Sequence, residues 1–255
     1  MPRQATAVAF YTLLEGLRNR LVWLAVFTGL AAVAASVFLR GLAITEGAQI
    51  QAVLLAAFLR LAGVFITAVF VTTTMTREFH DQAAALVLSL PLSRAAYLCG
   101  KLAGFMLAAA VIGVLFALLA ALSTPGGQWL PWGLSLICEL WIVAAFSLLC
   151  ALTFSQIAAA LGAVLGFYLL ARTIAVLQLM AHTPLVFAHT VSHRFIVAAL
   201  DAVAFALPRL DEFTRSEWLA YGGGWRDLPP VAEQTAVYLA LLTAAALFDL
   251  YRKNL

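Results

Sequence analysis

The stretch LSLICELWIVAAFSLLCALTFSQIAAALGAVLGFYLLARTIAVLQLM, residues 134–180, is two apolar runs separated only by Phe154-Ser155-Gln156. A membrane crossing takes about 20 mostly apolar residues. Both runs, 134–154 and 157–180, reach that length. With so short a link they must fold back on each other as antiparallel helices. The rest of the chain has the same character. Of 255 residues, 64% are hydrophobic and 11% charged, where a soluble domain carries about 45–50% apolar and about 25% charged residues. Such a chain lacks the polar surface to cover a core in water, so lipid is its solvent. Four more runs, at 21–39, 52–75, 98–122 and 231–250, are long enough to span. The expected fold is an all-α polytopic membrane protein, residues 1–255 forming one domain of six transmembrane helices.

An even number of spans puts both termini on one side, and basic residues in short loops choose the side. Arg3, Arg18, Arg20, Arg77, Arg94, Lys101, Arg252 and Lys253 fall on the side of the termini, against Arg40 in the short loops opposite. Both termini are therefore expected in the cytoplasm. The N-terminal segment lacks the signal-peptide order of charge, apolar block and cleavage site. Instead, residues 5–20 place Phe10, Leu14, Leu17 and Leu21 on one stripe, as in a helix lying at the membrane surface; a frayed tail is the alternative. Residues 181–230 carry three histidines, Pro184, Pro208, Pro229-Pro230 and a Gly222–Gly224 run. Their apolar middle is too short to cross comfortably, which suits a re-entrant or interfacial helical pair on the outer face.

Three ionisable residues stand inside spans. Arg60 and Arg172 each lie eight residues from the outer end of their span, and Glu139 lies five from its own. At 1.5 Å per residue all three fall in the same half of the bilayer and can meet. A charge there costs roughly 2.5–3.5 kcal/mol on insertion scales, so each needs a partner or water. Starting from the turn near residue 155, Glu139 and Arg172 lie at matching depth, so Arg172 is the first partner expected for Glu139. The group reads either as a structural ion pair or as a polar lining of an exit pathway. Ala158, Gly162 and Gly166 form a small-residue ridge that lets helices approach closely, either within the chain or between two copies. His182, His189 and His193 have helical spacing, but Pro184 interrupts them and no cysteine or carboxylate completes a metal set. Cys99, Cys138 and Cys150 are widely separated apolar fillers. No metal, cofactor or nucleic-acid partner is expected.

Between the second and third spans runs TREFHDQAAALVLSLPLSRAAYLCGKLAG, residues 76–104. Phe79, Ala83, Leu86 and Leu90 share one face, with Glu78, His80 and Asp81 at its start. Pro91 ends that helix and Ser93 can cap the next. The expectation is a short helix over 76–91, either a surface anchor or a lever. The phrase from Leu88 to Arg94, with Glu78 before it and Tyr97, Gly100 and Lys101 after it, resembles the signature of ATP-binding-cassette export permeases of the type-2 class. ALPRLDEFTR, residues 206–215, is similar to a phrase in the branch associated with multicopper-enzyme maturation. Where relatives carry a glycine shortly after the acidic residue, Asp81-Gln82-Ala83 stands here.

The resemblance implies a coupling helix that docks on a separate ATPase subunit, with Glu78, Phe79, Asp81, Leu86, Pro91 and Arg94 as coupling residues. It also implies a bacterial inner-membrane homodimer, with spans one and five at the contact and two ATPase copies that bind the ATP. For the multicopper branch it implies a periplasmic accessory protein. The chain has no G-x-x-x-x-G-K-[ST] loop of its own, so ATP hydrolysis by that route needs the partner. A membrane enzyme would need catalytic pairs such as HExxH or two intramembrane aspartates, which the sequence lacks. A membrane assembly subunit driven by a partner ATPase, moving no small solute, is the remaining alternative.

Overall fold

The computed structural model describes residues 2–42, 46–80, 93–124, 128–182, 191–222 and 224–252, with the backbone alone at 2–4 and 191–194. Among them every regular element is an α-helix: α1 (Pro2–Arg18), α2 (Leu21–Leu42), α3 (Gly47–His80), α4 (Arg94–Ser123), α5 (Trp129–Thr153), α6 (Ile157–His182), α7 (Val191–Ala206), α8 (Glu217–Ala220) and α9 (Leu228–Arg252). The six helices α2, α3, α4, α5, α6 and α9 are long and apolar enough to cross a membrane. The protein is thus an all-α polytopic membrane protein.

Helix α5 is the hub, with 67% of its most apolar stretch buried, whereas α2 and α6 reach 28% and α9 17%. Small residues let α4 close on it. A Cβ on Gly113 would sit 2.5 Å from Ile137 Cγ1, and one on Gly133 would sit 2.5 Å from Ala117 Cβ. The Phe154–Gln156 turn folds α6 back along α5, where Phe146 and Phe167 stack with ring centroids 3.9 Å apart. We call the base the end of the bundle where α3 and α9 finish and α4 begins. There Arg94 Nη1 donates to the Leu250 carbonyl (3.2 Å) and Thr153 Oγ1 to Asp249 Oδ2 (3.3 Å).

Helix α1 does not lie free at the surface. Ala5 with Val8, Ala9 with Thr12, and Gly16 meet Gly100, Gly104 and Ala108 of α4 in that order. The docking face of α1 is small, and α4 answers with the Gly100-x-x-x-Gly104 pair. Of the stripe read from the sequence, Phe10 and Leu17 are 58% and 41% exposed on the outward side, and Leu21 is buried at the start of α2. A Cβ at Gly104 would fall 2.5 Å from Thr12 Cβ and 2.8 Å from the Ala9 carbonyl oxygen. Backbone cannot step aside as a side chain can, so Gly104→Val is expected to cost about 1–3 kcal/mol through overpacking. Faster trypsin cleavage at Arg18 and Arg20, beside a lower melting temperature in detergent, checks this.

The ridge of Ala158, Gly162 and Gly166 is not a seam within the chain. All three are exposed, and a Cβ on either glycine would meet nothing within 4 Å. The buried stripe of α6 is Ala160, Val164, Tyr168, Ala171 and Ile174. It lies two residues away, roughly 200° around the helix.

The start of the 76–91 segment also differs from expectation. Helix α3 runs unbroken to His80, so Glu78 and Phe79 close α3 and do not open a new helix. No glycine or proline falls between residues 64 and 90 to stop it. Asp81, Leu86 and Pro91 lie outside the described residues. Beyond them Ser93 caps α4, its Oγ accepting from the Ala96 N–H at 3.2 Å.

Candidate functional site

Two polar centres stand out in this apolar bundle, one at each end. Away from the base, Arg60 on α3, Glu139 on α5 and Arg172 on α6 come together. Glu139 is fully buried. Its Oε1 accepts from Tyr168 Oη at 3.0 Å and lies 3.8 Å from Arg172 Nη1. Its Oε2 accepts from Thr214 Oγ1. Tyr168 is four residues before Arg172, so one face of α6 presents both groups to the carboxylate.

The third side of this centre is the segment 207–216, between α7 and α8. Leu210, Phe213 and Thr214 have no exposed surface, although the segment carries Arg209, Asp211, Glu212 and Arg215. Arg172 Nη1 donates to the carbonyls of Leu210 and of Phe213, the latter at 2.8 Å. Every polar group of Thr214 is taken by a transmembrane helix. Its N–H donates to Ser135 Oγ (3.0 Å), its carbonyl accepts from Arg60 Nη1 (3.2 Å) and its hydroxyl binds Glu139. Thr214 holds φ at 43°, a left-handed conformation that a β-branched residue rarely adopts. The polar contacts hold it there.

At the base, Lys101 of α4 and Glu78 of α3 form an ion pair of 2.7 Å, their side chains only 9% and 14% exposed. Glu15 of α1 joins them electrostatically. Burial raises its carboxyl above the ordinary value, Lys101 pulls the other way and Glu78 adds to the rise. The cluster ties three helices where 81–92 leaves α3 and returns to α4. Phe79 packs, partly buried, against the core of its own chain.

The histidines behave as ordinary side chains where they are described. His182 Nε2 lies 3.2 Å from Asp201 Oδ1 of α7, which also accepts from Gln178 Nε2 at 2.9 Å. These two hydrogen bonds, Gln178 first, hold the Asp201 carboxyl below its ordinary value. His189 and the His193 side chain lie outside the described residues. Among the described residues no three His, Cys, Asp or Glu side chains are grouped to hold a metal ion.

Sequence reasoning named Arg60, Glu139 and Arg172 but passed over Tyr168, Ser135 and Thr214. Thr214 had a signal. In PRLDEFTR, Leu210 and Phe213 sit three apart among charges, the mark of a loop that buries one side. Ser135 and Tyr168 had none, since each reads as an ordinary residue of an apolar span. Neither a scan of protein-family models nor a search of curated proteins returns a match for the chain.

Proposed function

We propose that the chain is the membrane subunit of an ATP-driven exporter of the type-2 ATP-binding-cassette class. In this reading the base faces the cytoplasm of a bacterial cell, at the inner membrane. A separate ATPase, two copies per complex, presses on the segment between α3 and α4. The observation that carries it is the Glu78–Lys101 pair. A loop that only anchors needs no buried ion pair at its root. A lever does, because force applied at 81–92 must reach the spans without bending their ends. Glu78 lies three residues before that segment, and Lys101 lies on α4 two turns after Ser93. Glu15 adds α1, so a push on the segment reaches α1, α3 and α4 as one body. The sequence resemblance over 78–101 agrees with this geometry, and the missing phosphate loop makes the ATPase a partner.

Two copies of the chain would meet through α2 and α6, whose outward faces are the least covered after α9. Gly162→Val should then leave the stability of the single chain unchanged and weaken the dimer, read by crosslinking in membranes. Purification of the tagged chain from its native membranes tests the reading as a whole. An ATPase should come with it, and ATP hydrolysis should fall when Glu78 is changed to Lys. Recovery of the intact chain with no ATPase and no nucleotide-dependent activity overturns the proposal.

A further inference from the structure

The centre formed by Arg60, Glu139 and Arg172 is a site already holding something, and what it holds is the chain itself. Arg172 donates to two backbone carbonyls and Arg60 to a third, all within residues 210–214. Both guanidiniums thus donate to neutral carbonyl oxygens, with the Glu139 carboxylate 3.8 Å from Arg172, beyond hydrogen-bonding distance, and a carboxylate or phosphate within that distance would bind them more strongly. The charges point the same way. The three helices contribute two guanidiniums and one carboxylate. Asp211, which interacts electrostatically with Arg172, brings the second carboxylate from the loop. The helices keep one positive charge in excess, and Asp211 is the carboxylate that residues 207–216 bring near it; the segment as a whole is neutral, with Arg209 paired to Glu212 at 3.6 Å and Arg215 the remaining cation.

The fit of the loop is incomplete. Arg60 Nε and Asp211 Oδ1 are both buried without a hydrogen-bond partner among the described residues. Buried polar atoms are normally satisfied, and leftover ones ask for an explanation. Thr214, with its uncommon backbone, spends its N–H, carbonyl and hydroxyl on this centre. The outer surface of the same helix turns is apolar: Leu61 and Phe65 on α3 and Leu169 and Val176 on α6 are exposed.

We propose that Arg60 and Arg172 form an anion-accepting site, that residues 209–214 occupy it as a built-in ligand, and that the anionic head of an amphiphile, a phosphate or carboxylate on an apolar tail, displaces them. The site deepens the export reading by giving the substrate class, and on that reading it lies at the exit end. Its test uses no ATPase, so either idea can fail alone.

The full chain is purified in a neutral detergent with Phe213, which has no exposed surface, changed to Cys. A charged maleimide then reports whether the segment is docked, with the modified residue identified by peptide mass. Dodecyl phosphate should speed labelling of position 213 by about tenfold or more, the scale set by exchanging one charged contact. Adding Arg172→Gln should abolish the response, and adding Asp211→Asn should lower the dodecyl phosphate concentration needed. Inorganic phosphate at equal concentration separates a free anion from an amphiphile. An equal response to it overturns the amphiphile assignment. Labelling that ignores dodecyl phosphate, or that responds equally without the Arg172 guanidinium, overturns the site. Should the cysteine variant not fold, the otherwise native chain carries the test. Dodecyl phosphate should shift its melting temperature more than dodecyl maltoside does, and the difference should vanish in Arg172→Gln. Equal shifts overturn the site.

Discussion

Glu139→Gln should lower the stability of the folded chain by roughly 3–5 kcal/mol, the range for breaking a buried ionic contact from one side. The carboxylate is fully buried and receives the Tyr168 hydroxyl, the Thr214 hydroxyl and the charge of Arg172. An amide keeps the volume but loses the charge. It also offers one acceptor oxygen where two are in use, so Thr214 or Tyr168 is left with an N–H facing its hydroxyl. Arg172→Gln should cost less than Glu139→Gln. The Arg172 side chain is 20% exposed, so its loss removes a charge that water partly reaches, and the carbonyls of Leu210 and Phe213 that it leaves are neutral acceptors. The double variant should be more stable than the sum of the single losses, because each single change strands the other member. Thermal unfolding in detergent of the four proteins closes the cycle. Strictly additive losses would mean that the 3.8 Å contact between the two carries no coupling.

The fold was legible because the bilayer enforces it. Backbone groups in lipid must be satisfied within the segment, so runs of the right length are helices and little else is possible. That logic locates spans, and the observed ends differ from the expected ones by a few residues. It says nothing about which side of a span faces another span, since lipid and protein interior are equally apolar. Hence Gly162 and Gly166 looked like a packing ridge and face outward, whereas Gly100 and Gly104, with the same spacing, hold α1. In α1 the apolar stripe drew attention and the small face Ala5, Ala9, Thr12 and Gly16 did not, although the small face is the one that docks.

The polar site was half legible for the same reason. A charge inside a span is conspicuous, so Arg60, Glu139 and Arg172 could be found and their depths compared. Their loop partner could not, because a polar segment between two apolar ones reads as solvated. Residues 207–216 are buried by what the spans present to them, and the sequence of the segment alone holds only the Leu210 and Phe213 hint. Glu78 and Lys101 show a related limit. Each was noticed as part of a phrase, yet their pairing across two helices depends on α3 continuing past residue 76. A periodicity that fits a new helix from 76 fits the extension of the old one equally well.

Lys101→Met should destabilise the base more than Glu78→Gln does. Lys101 is 7% exposed and is the cation between two carboxylates, Glu78 and Glu15. Its removal takes away the ammonium that Glu78 contacts at 2.7 Å, and breaking such a buried contact from one side costs roughly 3–5 kcal/mol. Glu78→Gln is milder, because Glu15 remains to face the ammonium. The same arrangement makes the acids redundant, so their losses should not add. Glu15→Gln alone should be small, since burial already raises its carboxyl and disfavours the charge. With Glu78→Gln present, the same change strands a buried lysine, and the combined loss should exceed the sum. Melting temperatures of the wild type, the three single variants and the Glu15→Gln/Glu78→Gln double variant at neutral pH decide this. Additive losses for the two acids would mean that Glu15 does not share the lysine. Where the ATPase partner is present, the lever reading adds a second readout. Lys101→Met should reduce stimulated hydrolysis even at temperatures where the chain stays folded, because α3 and α4 no longer move as one body. Full stimulation in a folded Lys101→Met chain would sever the base cluster from coupling and leave it a purely structural clasp.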